Sequence, residues 1–172
     1  MIRKLTNLVR AQDPSDLFLA GTWADEARLE KLCDELNFDE KWVVDRITRA
    51  SGLALLWKNS VSIKVVGSSL NFIDAIVNDG QEDSWRFISI YGFPEARRKV
   101  ETWQLLHELN NKYKLPWVCA RDFNEILRGH EKLGGLPRRE VELEAFKDVV
   151  DELGFVDLGY LGRKYTWRGK KG

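Results

Sequence analysis

Polar side chains able to bind a metal ion or a phosphate group follow two predicted strands of this sequence. Asp122 and Asn124 come directly after the apolar run 117–120, and Tyr91 ends the run 85–91. An Asp carboxylate suits magnesium or can act as a base toward water, whereas Asn and Tyr can donate hydrogen bonds to phosphate oxygens. Because the ends of strands hold side chains rigidly, Asp122, Asn124 and Tyr91 are the candidate catalytic residues.

The same spacing has a simpler interpretation. Asp-x-Asn in a loop is typical of an Asx turn, in which a side-chain oxygen binds the nearby backbone. His107 lies in a helical pattern and His130 in a polar loop, so we interpret both as structural or solvated. The sequence contains no phosphate-binding glycine loop, zinc-ligand spacing or nucleophile elbow. Spacing alone leaves catalysis and turn formation both open.

A mixed order of helices and strands has to position these residues. Apolar periodicity predicts four helices, at residues 2–11, 24–36, 96–112 and 140–153. Apolar runs between turn signals predict seven strands, at residues 17–20, 41–47, 53–57, 61–66, 70–77, 84–91 and 117–120. The order predicts an α/β domain with an antiparallel sheet and with helices packed outside it.

Local signals add detail to these elements. The third helix should direct Val100, Trp103, Leu106 and Leu109 toward the core. The helix at residues 140–153 should direct an apolar set that includes Val141 toward the core. Gly154 is predicted to end the last helix in the C′ position. Asp79-Gly80 between two apolar runs predicts a hairpin.

Composition limits the classes of protein that this chain can belong to. It has 172 residues, of which 44% are hydrophobic and 31% charged, as is ordinary for a globular domain. Acidic and basic residues balance at 27 each, so nucleic-acid binding would need a local basic patch. One such patch comprises Arg163, Lys164, Arg168, Lys170 and Lys171, although the simpler interpretation is a solvated chain end. No apolar run is long enough to predict a membrane helix.

The two cysteines are too few for a disulfide framework or a zinc site. Cys33 lies in a helical pattern and Cys119 in a strand pattern. We interpret both as reduced core thiols, which fits a reducing compartment.

Six sequence blocks carry a resemblance to a known family, and the resemblance spans nearly the whole chain. They are LFLAGT (17–22), SGLALLW (51–57), FISIYGFP (87–94), ARDFNEIL (120–127), EKLGG (131–135) and GFVDLGYLGRKYTW (154–167). In this order they resemble the endonuclease/exonuclease/phosphatase superfamily, with the greatest likeness to the endonuclease of plant LINE-type retroelements. The resemblance implies a four-layer α/β/β/α sandwich of the DNase I-like type. It also implies magnesium-dependent hydrolysis of phosphodiester bonds in DNA.

The resemblance assigns roles to four residues of this chain. Tyr91 matches the phosphate-contacting Tyr of the family. Asp122 and Asn124 match a motif usually written Gly-Asp-Phe-Asn, in which an Asp activates water and an Asn supports the developing oxyanion. Trp167 belongs to an aromatic-Thr-Trp block that shapes the substrate side of the site. Arg121 replaces the first Gly of the motif, where Gly often serves a backbone conformation that larger residues adopt poorly.

The chain also departs from the family pattern. The metal-ligand Glu of the family falls at Gly21, which has no side-chain oxygen. The family's opening strand and its closing Asp–His block fall outside residues 1–172. We therefore expect a single domain that is incomplete at both ends, with weak or absent magnesium binding and no metal ligand at Gly21.

Three functional hypotheses follow. The favoured one is a retroelement-derived domain that is catalytically inactive. The main alternative is a non-catalytic module that binds nucleic acid, most simply DNA, and the third is an active nuclease. Neither the sequence nor the resemblance predicts the oligomeric state.

Overall fold

A computed structural model describes residues 2–22, 26–44, 52–93, 95–123, 125–134 and 136–159. It contains the helices α1 (Ile2–Gln12), α2 (Glu26–Glu35), α3 (Lys99–Lys112) and α4 (Glu140–Glu152). Its strands are β1 (Asp16–Thr22), β2 (Glu40–Val44), β3 (Gly52–Trp57), β4 (Ile63–Ser69), β5 (Phe72–Val77), β6 (Trp85–Tyr91) and β7 (Trp117–Asp122). All of the predicted helices and strands are present. Among the described helices, none has the length and apolar character needed to cross a membrane.

The chain forms two compact units. The first contains residues 1–92 and 114–122, and the second contains residues 93–113 and the chain from Phe123 onward. All seven strands lie in the first unit, together with α1 and α2.

The first sheet is antiparallel, in the order β1-β3-β2. All six residues of β3 are buried, which explains why this strand is a continuous apolar run rather than an alternating one. On one face of the sheet, Leu56 packs with Val9 of α1 and Cys33 of α2, and Leu36 and Phe38 join them. The two helices therefore cover this face.

The second sheet has the order β4-β5-β6-β7. β5 and β6 pair antiparallel across the loop that contains Asp79-Gly80, so the predicted hairpin is confirmed. β7 pairs parallel with β6. A parallel pair needs a long crossover connection, and here the connection contains α3.

The two sheets pack face to face over a shared core. β3 contributes Leu53, Leu55 and Trp57, and the second sheet contributes Ile73, Ala75, Val77 and Phe87. Since alternate residues of a strand point to opposite faces, Asp74 and Arg86 lie on the other face of the second sheet. There they form a buried bidentate ion pair, with Nε–Oδ1 at 2.7 Å and the second contact at 2.8 Å.

In the second unit, α3 and α4 pack through Trp103 and Phe146, whose rings are stacked 6.5 Å apart. Gly154 has φ 65°, and its N–H donates to the carbonyl of Asp151 while the Phe155 N–H donates to Val150. This is the Schellman pattern, so the predicted C′ glycine is confirmed.

The predicted inward faces of α3 and α4 are partly wrong. Val100 is 50% exposed and Val141 is 74% exposed. In α3 the buried positions are Lys99, Thr102, Leu106 and Leu109, so the buried face begins one residue earlier than predicted. Apolar periodicity misplaced the buried face because two polar residues, Lys99 and Thr102, are buried in the first turn.

Candidate functional site

Two candidate site residues end neighbouring parallel strands. Tyr91 is the last residue of β6 and Asp122 the last residue of β7, and the two are register partners. Because parallel strands end at the same edge of a sheet, this pairing brings the two backbones side by side. Arg121 pairs with Ile90 inside β7, in extended backbone. Extended backbone is a conformation that residues larger than Gly adopt readily.

Asn71 holds the backbone at Tyr91. The Tyr91 N–H donates to the Asn71 carbonyl at 2.8 Å, and the Asn71 side-chain amide donates to the Tyr91 carbonyl at 2.9 Å. The half-buried Tyr91 side chain packs against the core between the sheets. Asn71 lies in the turn between β4 and β5, where an Asn in sequence indicates only a turn. Its role at Tyr91 was therefore missed.

Gly21 occupies an irregularity near the end of β1. The register between β1 and β3 shifts between Ala20 and Thr22, and Gly21 between them has φ 72°. This is the left-handed region, which glycine adopts freely and other residues adopt at a cost. β1 is in contact with β7, the strand that ends in Asp122. The sequence showed that Gly21 lacks a carboxylate, but not that its backbone suits glycine.

The neighbouring Thr22 is enclosed. Its Oγ1 is buried and has no hydrogen-bond partner among the described residues. Thr22 pairs with Gly52, and a Cβ on Gly52 would lie 2.8 Å from that oxygen and 3.2 Å from the Val44 carbonyl. Gly52 therefore permits the three strands of the first sheet to approach closely at this end.

At the end of β1, the described residues provide no carboxylate for a magnesium ion. Magnesium in proteins is held by one or two carboxylates together with water and substrate oxygens. Gly21 has no side-chain oxygen, and the Thr22 hydroxyl is buried beside Gly52. Among the described residues, no group of three or more His, Cys, Asp or Glu side chains could hold a metal ion.

Asn124 and Trp167 lie outside the described residues, as does the basic patch of residues 163–171. Both neighbours of Asn124 are described. The Phe123 ring meets Phe146 of α4 edge to face at 5.2 Å. The Glu125 carboxylate pairs with Lys99 of α3 at 2.5 Å, and both side chains are nearly fully buried.

A pocket of about 290 Å³ lies in the second unit. Its lining consists of Arg97, Lys99, Val100, Trp103, Glu125, Arg139 and Glu142. Arg139 donates a hydrogen bond to Glu142, and this contact is the main reason that the pKa of Glu142 lies below its usual range. Lys99 and Glu125 were not singled out in the sequence, because a Lys at a helix start and a Glu in a loop are both ordinary surface residues.

No protein-family model matches this sequence, and the comparison with curated protein sequences gives no match. Solved structures do match it. The endonuclease domain of TRAS1, a telomere-specific non-LTR retrotransposon, superposes with a TM-score of 0.62 at 8% identity, over 89% of this chain and 64% of that one. The human Nocturnin catalytic domain with a bound sulfate anion superposes with a TM-score of 0.50 at 14% identity, over 72% and 57%.

A third match is TDP2 of D. rerio in complex with a single-strand DNA product, with a TM-score of 0.50 at 13% identity, over 92% of this chain and 59% of that one. The chain has the DNase I-like fold. The expected α/β fold class is thereby confirmed. Sequence identities of 8%, 14% and 13% establish the fold and nothing further. The chain spans 64%, 57% and 59% of the lengths of these three structures.

Proposed function

We propose that this chain is a catalytically silent copy of a DNase I-like phosphodiesterase domain. We further propose that it derives from the endonuclease of a non-LTR retroelement of the plant LINE type. The family chemistry is magnesium-dependent hydrolysis of phosphodiester bonds in DNA, in which Asp122, Asn124 and Tyr91 would act on water and phosphate. Trp167 would line the substrate side of the site.

The observation that carries the proposal is the end of β1. The resemblance puts the family's metal-ligand Glu at Gly21, and this glycine has φ 72° at a register shift. The position therefore lacks the carboxylate, and its backbone also disfavours the residue that would supply one. Catalytic groups that act as a unit fail together when one is missing, so Tyr91 and Asp122 would not support cleavage alone.

A plasmid-nicking assay with magnesium tests the lack of activity. The wild-type chain and Asp122→Ala should both give only the background rate of supercoiled DNA relaxation. Magnesium-dependent nicking by the wild type that Asp122→Ala abolishes would show that the chain is an active nuclease. The retroelement origin has a separate test, since the genomic sequence beside this reading frame should encode a reverse transcriptase.

Nucleic-acid binding without catalysis is the second candidate function. Two observations favour it: the five cations between Arg163 and Lys171, with no acidic residue among them, and the likeness to a TDP2 structure that holds a single-strand DNA product. Binding through these cations should weaken steeply with salt, because each neutralised phosphate releases counterions.

Fluorescence anisotropy with a labelled single-stranded oligonucleotide tests this candidate. Each lost phosphate contact should change the slope of log affinity against log salt by about 0.7. Lys170→Gln/Lys171→Gln should therefore flatten the slope, whereas Lys31→Gln/Lys147→Gln, on exposed helical positions, should not. Equal slopes for the two double variants would rule out the basic patch as the binding surface.

A further inference from the structure

The first turn of α3 and Arg98 just before it contact the chain at two separate places within the second unit. One place is Phe93, which follows β6 by two residues, and the other is Glu125, which follows β7 by three residues. Both places adjoin, along the chain, residues of the candidate site. The contacts come from Arg98, Lys99 and Thr102.

The contacts at Phe93 are made by two side chains. The Phe93 N–H donates to the Thr102 hydroxyl at 3.2 Å. The Arg98 guanidinium lies over the Phe93 ring at 3.5 Å from its centre, a cation–π arrangement. Glu101 orients that guanidinium through two hydrogen bonds of 2.9 Å each. The backbone and the ring of Phe93 are therefore both held by the start of this helix.

The contact at Glu125 is a buried ion pair. Lys99 Nζ lies 2.5 Å from Glu125 Oε2, with side-chain exposures of 7% and 5%. Lys and Glu are rarely buried unless paired, because removing either charge from water is costly. Phe123, two residues earlier, packs against Phe146 of α4. The residues on both sides of Asn124 are thus fixed to helices of the second unit.

We infer that Lys99 and Thr102 are positioning residues: Thr102 fixes Phe93 after β6, and Lys99 fixes Glu125 after β7. The Lys99–Glu125 ion pair is the main contact that holds the segment after β7, because both of its charged side chains are buried. Lys99 would act on the candidate residues Asp122 and Asn124 only indirectly, through Glu125, which follows Asn124 in the chain. The inference concerns local structure, so its test needs no nucleic acid and can fail independently of the proposed function.

Hydrogen exchange of backbone amides, measured residue by residue, tests the inference in the full chain. Lys99→Met keeps the aliphatic stem but removes the cation beside Glu125. Amides of residues 125–127 should then exchange at least about ten times faster, equivalent to roughly 1.4 kcal/mol of local opening. Amides in the middle of α4 should keep their wild-type rates. Thr102→Val should speed exchange at Phe93 in the same way.

Lys147→Met is the matched control, because it makes the same substitution at an exposed position of α4. It should leave all of these rates unchanged. The double variant Lys99→Met/Glu125→Met leaves no unpaired buried charge, so its exchange at residues 125–127 should be slower than in Lys99→Met and faster than in wild type.

Two results would overturn the inference. One is wild-type exchange at residues 125–127 in folded Lys99→Met. The other is an equal acceleration of exchange in α4, which would show a loss of general stability rather than of local positioning. If Lys99→Met does not fold, the double variant decides the question, and wild-type rates at residues 125–127 in that variant would refute the role of the pair.

Discussion

Gly21 provides the sharpest test of the candidate site, because its substitution changes both backbone strain and chemistry. Gly21 has φ 72°, a conformation that costs an L-residue about 1–2 kcal/mol. Replacing Gly by Ala also reduces the entropy of the unfolded chain, which offsets about 0.4–1 kcal/mol of that cost. We therefore expect Gly21→Ala to lower the free energy of unfolding by about 1 kcal/mol, or Tm by about 2–4 °C. Gly21→Asn should cost less, because Asn tolerates this region better.

Two other glycines calibrate the measurement. Gly80 has φ 79° and nothing within 4 Å of the Cβ position, so Gly80→Ala should show the strain alone, about 1 kcal/mol. Gly129 also has nothing within 4 Å of the Cβ position, and its φ lies outside the left-handed region. Gly129→Ala should therefore be neutral or slightly stabilising. Urea unfolding of the set gives the differences directly.

Gly21→Glu tests the backbone strain and the missing carboxylate in one variant. It should be destabilised about as much as Gly21→Ala, by about 1 kcal/mol, because both need the same backbone change. It supplies a carboxylate at the end of β1, so magnesium that binds there should raise Tm by stabilising the folded state. It should still give no plasmid nicking above background. Wild-type stability in both Gly21→Ala and Gly21→Glu would refute the strained bulge, and clear nicking by Gly21→Glu would refute the dependence on further catalytic groups.

Three further predictions concern buried or half-buried groups. Asp74→Ala removes the carboxylate that pairs with the Arg86 guanidinium, which is 1% exposed, and should cost about 3–5 kcal/mol in urea unfolding. An unchanged unfolding midpoint would contradict the buried pair. Burial raises the pKa of the Cys33 thiol, so native protein should alkylate at Cys33 far more slowly than urea-unfolded protein at pH 8, and equal rates would contradict that burial. Burial also raises the pKa of Asp16, so its ionisation opposes folding. Asp16→Asn should therefore be more stable than wild type at pH 7. The difference should shrink as the pH falls and disappear below about pH 3, where the carboxyl is protonated in both states.

The sequence by itself determined which segments become helices and strands. Apolar periodicity and turn residues are local signals, so β3 could be predicted from its unbroken apolar run and the end of α4 from Gly154. Local signals also placed Tyr91 and Asp122 at strand ends. What they could not supply was the partner of each strand, and hence the parallel pairing that sets these two residues in register.

Tertiary structure decided the features that depend on residues distant in the chain. Lys99 is buried because Glu125 neutralises it, and Asp74 because Arg86 does, yet each of these residues alone in sequence indicates a solvated surface. The backbone of Gly21 follows from the register shift between β1 and β3, which only their pairing creates. Buried charge and strained backbone are tolerated where contacts formed elsewhere in the fold compensate for them, and a local pattern carries no information about those contacts.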